Sequence, residues 1–421
     1  MRAPVFFAFL WLLLGAPGAG AATLLLRGGR VLDAEGGRWL DGRVVVLEAG
    51  RIRAVLPEAQ AVPADSSIDL EGLYLVPGLI DLHTHLLLHP YNEALWDDQV
   101  LKEALEFRTL RASVAARRTL EAGWTTIRDL GTEGAGFADV ALRDAIAARL
   151  IPGPRLFVVT RAIVAVDCYG PSAFDRRWDV PQGAQEVNGA DGMRAAVRAQ
   201  IAAGADWIKV YADYPRTRGA GARPTLTLEE LRAAVDEARA AALPVAAHAV
   251  TDEAIERCVE AGVRSIEHGL EVSTKVLRLM RSHGVVLCPT LAAYEATARY
   301  AGWKPGDPEP EVLRHSRAAF ARALEAGTAI ACGSDAGVFA HGDNVRELEL
   351  MVAYGMSRMQ ALRAATSGAA AVLGLGEECG RIAPGFRADL VAVRGDPLQD
   401  IAALRQVALV LQEGRVVRSQ R

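Results

Sequence analysis

Cysteine is scarce in this chain of 421 residues: the five are Cys168, Cys258, Cys288, Cys332 and Cys379, and no two stand in a Cys-x-x-Cys pair. An odd count without short spacings argues against a disulfide framework, although one disulfide stays open. An excess of one charge is also missing. The 47 Lys and Arg nearly balance 51 Asp and Glu, for a formal net charge of −4, and no long basic or acidic run occurs. Nucleic acid and anionic membrane surfaces are therefore not expected partners. Internal repeats and low-complexity segments are absent as well. The one apolar run of note, Val5 to Leu14, is too short for a comfortable membrane span.

That run follows Arg2 and precedes the mostly small residues Gly15 to Ala22, with Ala19-Gly20-Ala21 as a cleavage-like site. This is the pattern of a secretory signal peptide over residues 1–22, which predicts a secreted or periplasmic mature protein starting near Ala22 or Thr23. An uncleaved anchor is the alternative. No cysteine follows the apolar run, so a lipid-modified N-terminus is not indicated.

Apolar residues make up 51% of the chain and charged residues 23%, so a sizeable core is expected. Residues 23–75 read as short strands separated by Gly28-Gly29, Gly36-Gly37 and Glu48-Ala49-Gly50, and residues 375–421 have the same texture. Between them, over 76–374, strand-like runs at 79–85, 125–130, 156–160, 207–211, 244–249, 264–268, 285–290 and 328–334 alternate with helical patterns. Among these are 103–121, 191–203, 228–242, 252–261, 274–283, 311–326 and 344–354. Eight such units predict an α/β fold, a (β/α)8 TIM-like barrel, with a small β-sandwich domain built from both termini. A doubly wound sheet would call for a glycine-rich phosphate loop after its first strand, and His83-Thr84-His85 stands there instead.

Polar residues at strand ends carry the chemistry of such a barrel. His83 and His85 end the first strand on one face, as residues i and i+2 do. Lys209 lies in the fourth strand, His248 ends the fifth, His268 the sixth and Asp335 the eighth. Four of the eight histidines thus fall on one rim. Lys209 is the odd member, because a lysine in an apolar strand is costly unless paired or neutral. An ammonium has no lone pair for a metal. Carboxylated by CO₂, the amine becomes a carbamate with two oxygens that can bridge two cations.

The stretch Val76-Pro77-Gly78-Leu79-Ile80-Asp81-Leu82-His83-Thr84-His85, with Lys209, His248, Ile266-Glu267-His268-Gly269, Gly333-Ser334-Asp335 and Gly380-Arg381-Ile382-Ala383-Pro384-Gly385-Phe386-Arg387-Ala388-Asp389-Leu390, resembles the amidohydrolase superfamily. The likeness is to the branch near imidazolonepropionase and the metal-dependent Xaa-Pro dipeptidases. It implies that His83, His85 and Asp335 hold one metal, that His248 and His268 hold a second, and that carboxylated Lys209 bridges them. Two divalent ions are implied, zinc first, with manganese, cobalt or iron as alternatives. The implied reaction is hydrolysis of a C–N bond in an amide, dipeptide or cyclic amide of a small molecule by a hydroxide bridging the metals, with Asp335 relaying the proton.

Four positions are expected near substrate on weaker grounds. His341, after the eighth strand, is a candidate to stabilise the oxyanion, or else a loop histidine in water. Tyr211 and Arg128 end strands and are candidates for a substrate carboxylate. Tyr169 stands where the dipeptidase branch carries a substrate-facing histidine, so prolyl-dipeptide specificity does not transfer; the long segment 167–190 is expected to cover the site. His89, His283 and His315 read as loop or surface residues. The alternatives are a mononuclear imidazolonepropionase-like enzyme or deaminase, a lactonase or phosphotriesterase, and a non-catalytic binding protein. No His-x-x-Glu follows the fifth strand, and no ligand is lost. Self-association into a homo-oligomer is left open.

Overall fold

A computed structural model describes residues 22–172, 175, 177–215 and 220–420. All but the last residue of the expected signal peptide lies outside the described residues. No described helix is long and apolar enough to cross a membrane.

The barrel forms as its apolar runs require. Leu79–Thr84 and Trp124–Asp129 are buried at every position, as parallel strands covered on both faces must be. Trp124–Asp129 pairs in parallel with Leu79–Thr84 on one side and Arg155–Val158 on the other. The sheet continues through Ile208–Tyr211, Val245–Ala249, Ser265–His268 and Val286–Cys288, each parallel to its neighbour. Asp206 and Trp207 donate backbone N–H groups to Val158 O, which joins the two arcs. The eighth stave closes the ring with isolated bridges, Ile330 to Leu287 and Ala336 to Thr84.

Helices pack outside with their apolar stripes inward. Leu228–Ala240 buries Leu231, Ala234, Val235 and Ala238, one helical face. A reciprocal capping box between Thr227 and Glu230 starts it.

Both chain ends meet beside the barrel. One sheet runs in the order Arg415–Ser419, Val407–Gln412, Leu390–Arg394, Leu73–Pro77, Arg30–Asp33, Arg38–Leu40. Its central pair, Leu73–Pro77 against Leu390–Arg394, is antiparallel and joins N-terminal to C-terminal sequence. A second sheet, Arg51–Pro57, Arg43–Glu48, Thr23–Arg27, Ser66–Asp69, packs with it around Leu26, Val45, Leu75, Leu390 and Leu409.

Val76 and Pro77 still pair in that sheet, and two residues later the chain is barrel strand. Gly78 is the hinge. A Cβ there would stand 2.1 Å from Thr125 Oγ1. Gly78→Ala should therefore lower stability by roughly 1–3 kcal/mol, the usual cost of overpacking, seen as a lower thermal midpoint. An unchanged midpoint would mean that the seam has slack.

Candidate metal centre and substrate cavity

The rim at the strand ends gathers the six expected ligand residues. His83 and His85 are buried side by side, ring centroids 5.3 Å apart. Asp335 Oδ1 lies 3.6 Å from His83 Nε2 and 3.3 Å from His85 Nε2. These three residues offer ligand atoms within 4.8 Å of one another. His268 stands 5.0 Å from His83 and 4.5 Å from His248, between ring centroids.

Each ring is turned by a partner behind it, the arrangement that presents the other nitrogen to a metal. His83 Nδ1 meets Glu267 Oε2 at 3.0 Å, His85 Nδ1 meets Gly131 O at 3.0 Å, and His268 Nδ1 meets Thr290 Oγ1 at 2.7 Å. His248 is reversed: its Nε2 faces Asp213 Oδ1 at 3.7 Å, which leaves Nδ1, and its ring stacks on Tyr211 at 4.7 Å and 12°. Deeper down, the buried Asp81 binds the backbone N–H groups of His83 and Ser334, the Ser334 hydroxyl and the Asn344 amide. One carboxylate thus ties the first strand to the eighth just below His83 and Asp335.

Backbone strain concentrates here. His268, Thr290, Asp335 and Glu133 all adopt the left-handed conformation, with φ of 77°, 50°, 63° and 50°. Such residues cost energy and persist where the surroundings force them.

Burial, followed by the positive charge of Lys209 or a neighbouring histidine, holds His83, His248 and His268 well below the usual imidazole range. They stay neutral, as metal ligands must. Burial works against charge at His85 too, but the bond to Asp335 and the Glu133 carboxylate carry it up to about 9. Burial would raise Asp335, yet His83 and His85 outweigh it and hold the carboxyl at about 2.

Lys209 is the test of fit. Its Nζ is buried and has no hydrogen-bond partner, and burial pulls the ammonium down to about 8 despite Glu267. A bare ammonium left without an acceptor is an expensive arrangement. Imidazoles with free nitrogens, a carboxylate and an unpartnered amine make a donor set that fits metal.

A cavity of about 250 Å³ opens over this centre. Tyr169 and Tyr211, both expected near substrate, line it, together with Tyr91, Tyr214 and Tyr294; five of the eight tyrosines are here. Two expected residues are elsewhere. Arg128 is fully buried beneath the centre. Its Nη2 donates to Glu267 Oε1 at 2.9 Å, its Nε to Leu82 O at 2.7 Å, and its guanidinium lies 4.4 Å from the Trp207 ring. With its donors spent inside the barrel, it does not meet a substrate carboxylate. His341 Nε2 bonds Leu88 O at 3.1 Å behind the cavity wall, and the residue is not among the cavity's lining. Burial lowers its imidazole to about 4.

Sequence reading missed Glu133, whose carboxylate lines the cavity, and the supporting roles of Glu267 and Thr290. Glu267 lies within the motif already singled out, one residue before His268. Glu133 follows the end of strand Trp124–Asp129 by four residues, and inspecting the Gly131-Thr132-Glu133-Gly134 turn would have found it.

The amidohydrolase family model matches residues 74–417. A solved Xaa-Pro dipeptidase with methionine bound in its active site is 31% identical at a TM-score of 0.83, covering 94% of this chain and 99% of that one. A solved prolidase complexed with N-methylphosphonate-L-proline is 32% identical at a TM-score of 0.82, covering 94% and 100%. Ochratoxinase of Aspergillus niger is 29% identical over 367 residues, 79% of this chain and 72% of that protein. The barrel, its rim of histidines and aspartate, and a family match over most of its length make this chain a member of the amidohydrolase family, a metal-dependent hydrolase acting on carbon–nitrogen bonds.

Proposed function

We propose that this protein is an exported binuclear amidohydrolase that cleaves an amide, dipeptide or cyclic amide bond in a small molecule. His83, His85 and Asp335 would hold one divalent ion, His248 and His268 the other, and carboxylated Lys209 would bridge them. Zinc is the first choice of ion, with manganese, cobalt or iron as alternatives. The observation that carries this reading is the buried Lys209 Nζ, which has no hydrogen-bond partner. Addition of CO₂ with loss of a proton converts that amine to an anionic carbamate, and the isolated donor becomes two acceptors.

Bound divalent ions supply Lewis acidity, polarising the scissile carbonyl and acidifying water. The chain's own groups do the rest. Asp335 engages both histidines through Oδ1, which leaves Oδ2 to take the proton of the attacking water and return it to the leaving nitrogen as the C–N bond breaks. The tyrosine walls exclude bulk water and hold the substrate against the rim.

A second reading, a mononuclear imidazolonepropionase-like enzyme or deaminase, draws on the compactness of the His83, His85 and Asp335 cluster. Elemental analysis separates the two. Protein produced with metal and bicarbonate should carry about two ions per chain and turn over members of a panel of dipeptides, N-acyl amino acids and cyclic imides. One tightly held ion would favour the second reading, and turnover of lactones or phosphotriesters alone would replace both. Export is tested by the N-terminus of protein recovered outside the cytoplasm, expected near Ala22 or Thr23.

A further inference from the structure

The cavity is also lined by an acidic side chain that is not among the expected metal ligands. Glu133 is only 1% exposed and lines the cavity with its carboxylate. Oε2 accepts from Tyr169 Oη at 2.5 Å and Trp96 Nε1 at 2.8 Å, while Oε1 is buried with no hydrogen-bond partner. The nearest ring nitrogen, His85 Nδ1, is 3.7 Å away and already serves Gly131 O. The turn is built to place this group. Glu133 sits at φ 50°, and a Cβ on Gly131 would come within 3.1 Å of Oε1.

Tyr169, which donates to it, packs among two further tyrosine rings. Tyr169 lies 4.7 Å from Tyr211 and 5.1 Å from Tyr214, with Tyr211 and Tyr214 6.0 Å apart. Ring faces attract a cation within about 6 Å, and a buried carboxylate oxygen without a donor calls for one. No arginine or lysine occurs among the described lining residues. Away from the metal centre, a substrate anion would therefore meet the carboxylate and the tyrosines with no Arg or Lys countercharge from that lining.

We propose that Glu133 with Tyr169, Tyr211 and Tyr214 forms the specificity pocket for a protonated amine on the substrate. The enzyme then prefers amides and dipeptides that carry a free amino group near the scissile bond over their N-acylated or desamino counterparts. This rests on the hydrolase reading above for its reaction, but not for its binding.

The test begins with binding. Benzylamine and benzyl alcohol are titrated calorimetrically into metal-loaded wild-type protein at neutral pH, and benzylamine should bind at least tenfold more tightly. Glu133→Gln keeps the shape and an oxygen for Tyr169 and Trp96, and should weaken benzylamine by tenfold or more with metal content unchanged. Equal affinity in Glu133→Gln would mean that a metal ligates the amine, and would overturn the proposal. Equal or tighter binding of benzyl alcohol to the wild type would overturn it without any variant. Alanine 4-nitroanilide and propanoyl 4-nitroanilide then read the reaction: the preference for the amine should appear in KM and shrink at least tenfold in Glu133→Gln. If benzylamine binding depends on Glu133 while no amide is turned over, the hydrolase reading fails and the cation pocket stands.

Discussion

Lys209→Met is expected to lower kcat by roughly a thousandfold or more while leaving the metal-free protein as stable as the wild type, or more so. The two signs differ because the side chain serves one state only. Without metal, Nζ is a buried amine with no hydrogen-bond partner and only the Tyr211 ring 5.4 Å away, and methionine fills similar volume without a strongly polar atom to desolvate. With metal, the variant lacks the bridging group, and its metal content should fall from about two ions per chain towards one. Losing several kcal/mol of metal-ion stabilisation in the transition state corresponds to roughly 10³-fold or more in rate. Elemental analysis, steady-state kinetics and thermal unfolding of the chelated protein read the three quantities. Full activity with two ions retained would remove Lys209 from the centre.

Arg128→Leu should act in the opposite direction, on folding rather than chemistry. Arg128 and Glu267 form an ion pair with neither side chain exposed. The carboxylate also accepts from Ser265 Oγ at 2.6 Å and meets His83 Nδ1 at 3.0 Å. Removing the guanidinium leaves a buried anion short of its cation, a loss of about 3–5 kcal/mol. Arg128→Lys should recover part of this at most, because an ammonium cannot replace the fork that reaches Leu82 O and Glu267 together. The thermal midpoint is the measurement. Normal stability with weakened substrate binding would return Arg128 to the substrate role first expected of it.

Arg128 also shows where reading from sequence stopped. The rule that polar residues near strand ends face the active site held for His83 and His248, one residue short of the end of their strands, for His268 at the end of its own, and for His85 and Asp335 beyond theirs. Arg128 is likewise one residue short of the end of Trp124–Asp129, so position in the strand does not separate it from His83 and His248. Its partners decide the outcome: Trp207 and Glu267 receive the guanidinium inside the filled barrel. Glu133 failed for a different reason: it lies beyond the strand, and its direction depends on a left-handed turn that periodicity does not encode. Helices Ala138–Ala147 and Leu291–Tyr300 were not picked out: the first buries only Asp139 and Leu142, and the inward face of the second is largely alanine, so both give little contrast. The eighth stave was legible from its apolar run. Its backbone donors are shared among Leu287, Ala364 and His83 rather than given to one neighbour, so it forms no continuous ladder.

The pairing of Leu73–Pro77 with Leu390–Arg394 has a consequence in time. The partners are roughly 300 residues apart, and at synthesis rates of about 5–20 residues per second the first strand waits roughly 15–60 s for the second to be made. Through that interval Leu75 and Val76, both fully covered in the finished sheet, belong to an unpaired edge of the kind that seeks other chains. Folding of the terminal sheet is therefore a late, long-range event. Any factor that shields the first 77 residues during that interval should raise the yield of native protein more than one acting on the barrel helices.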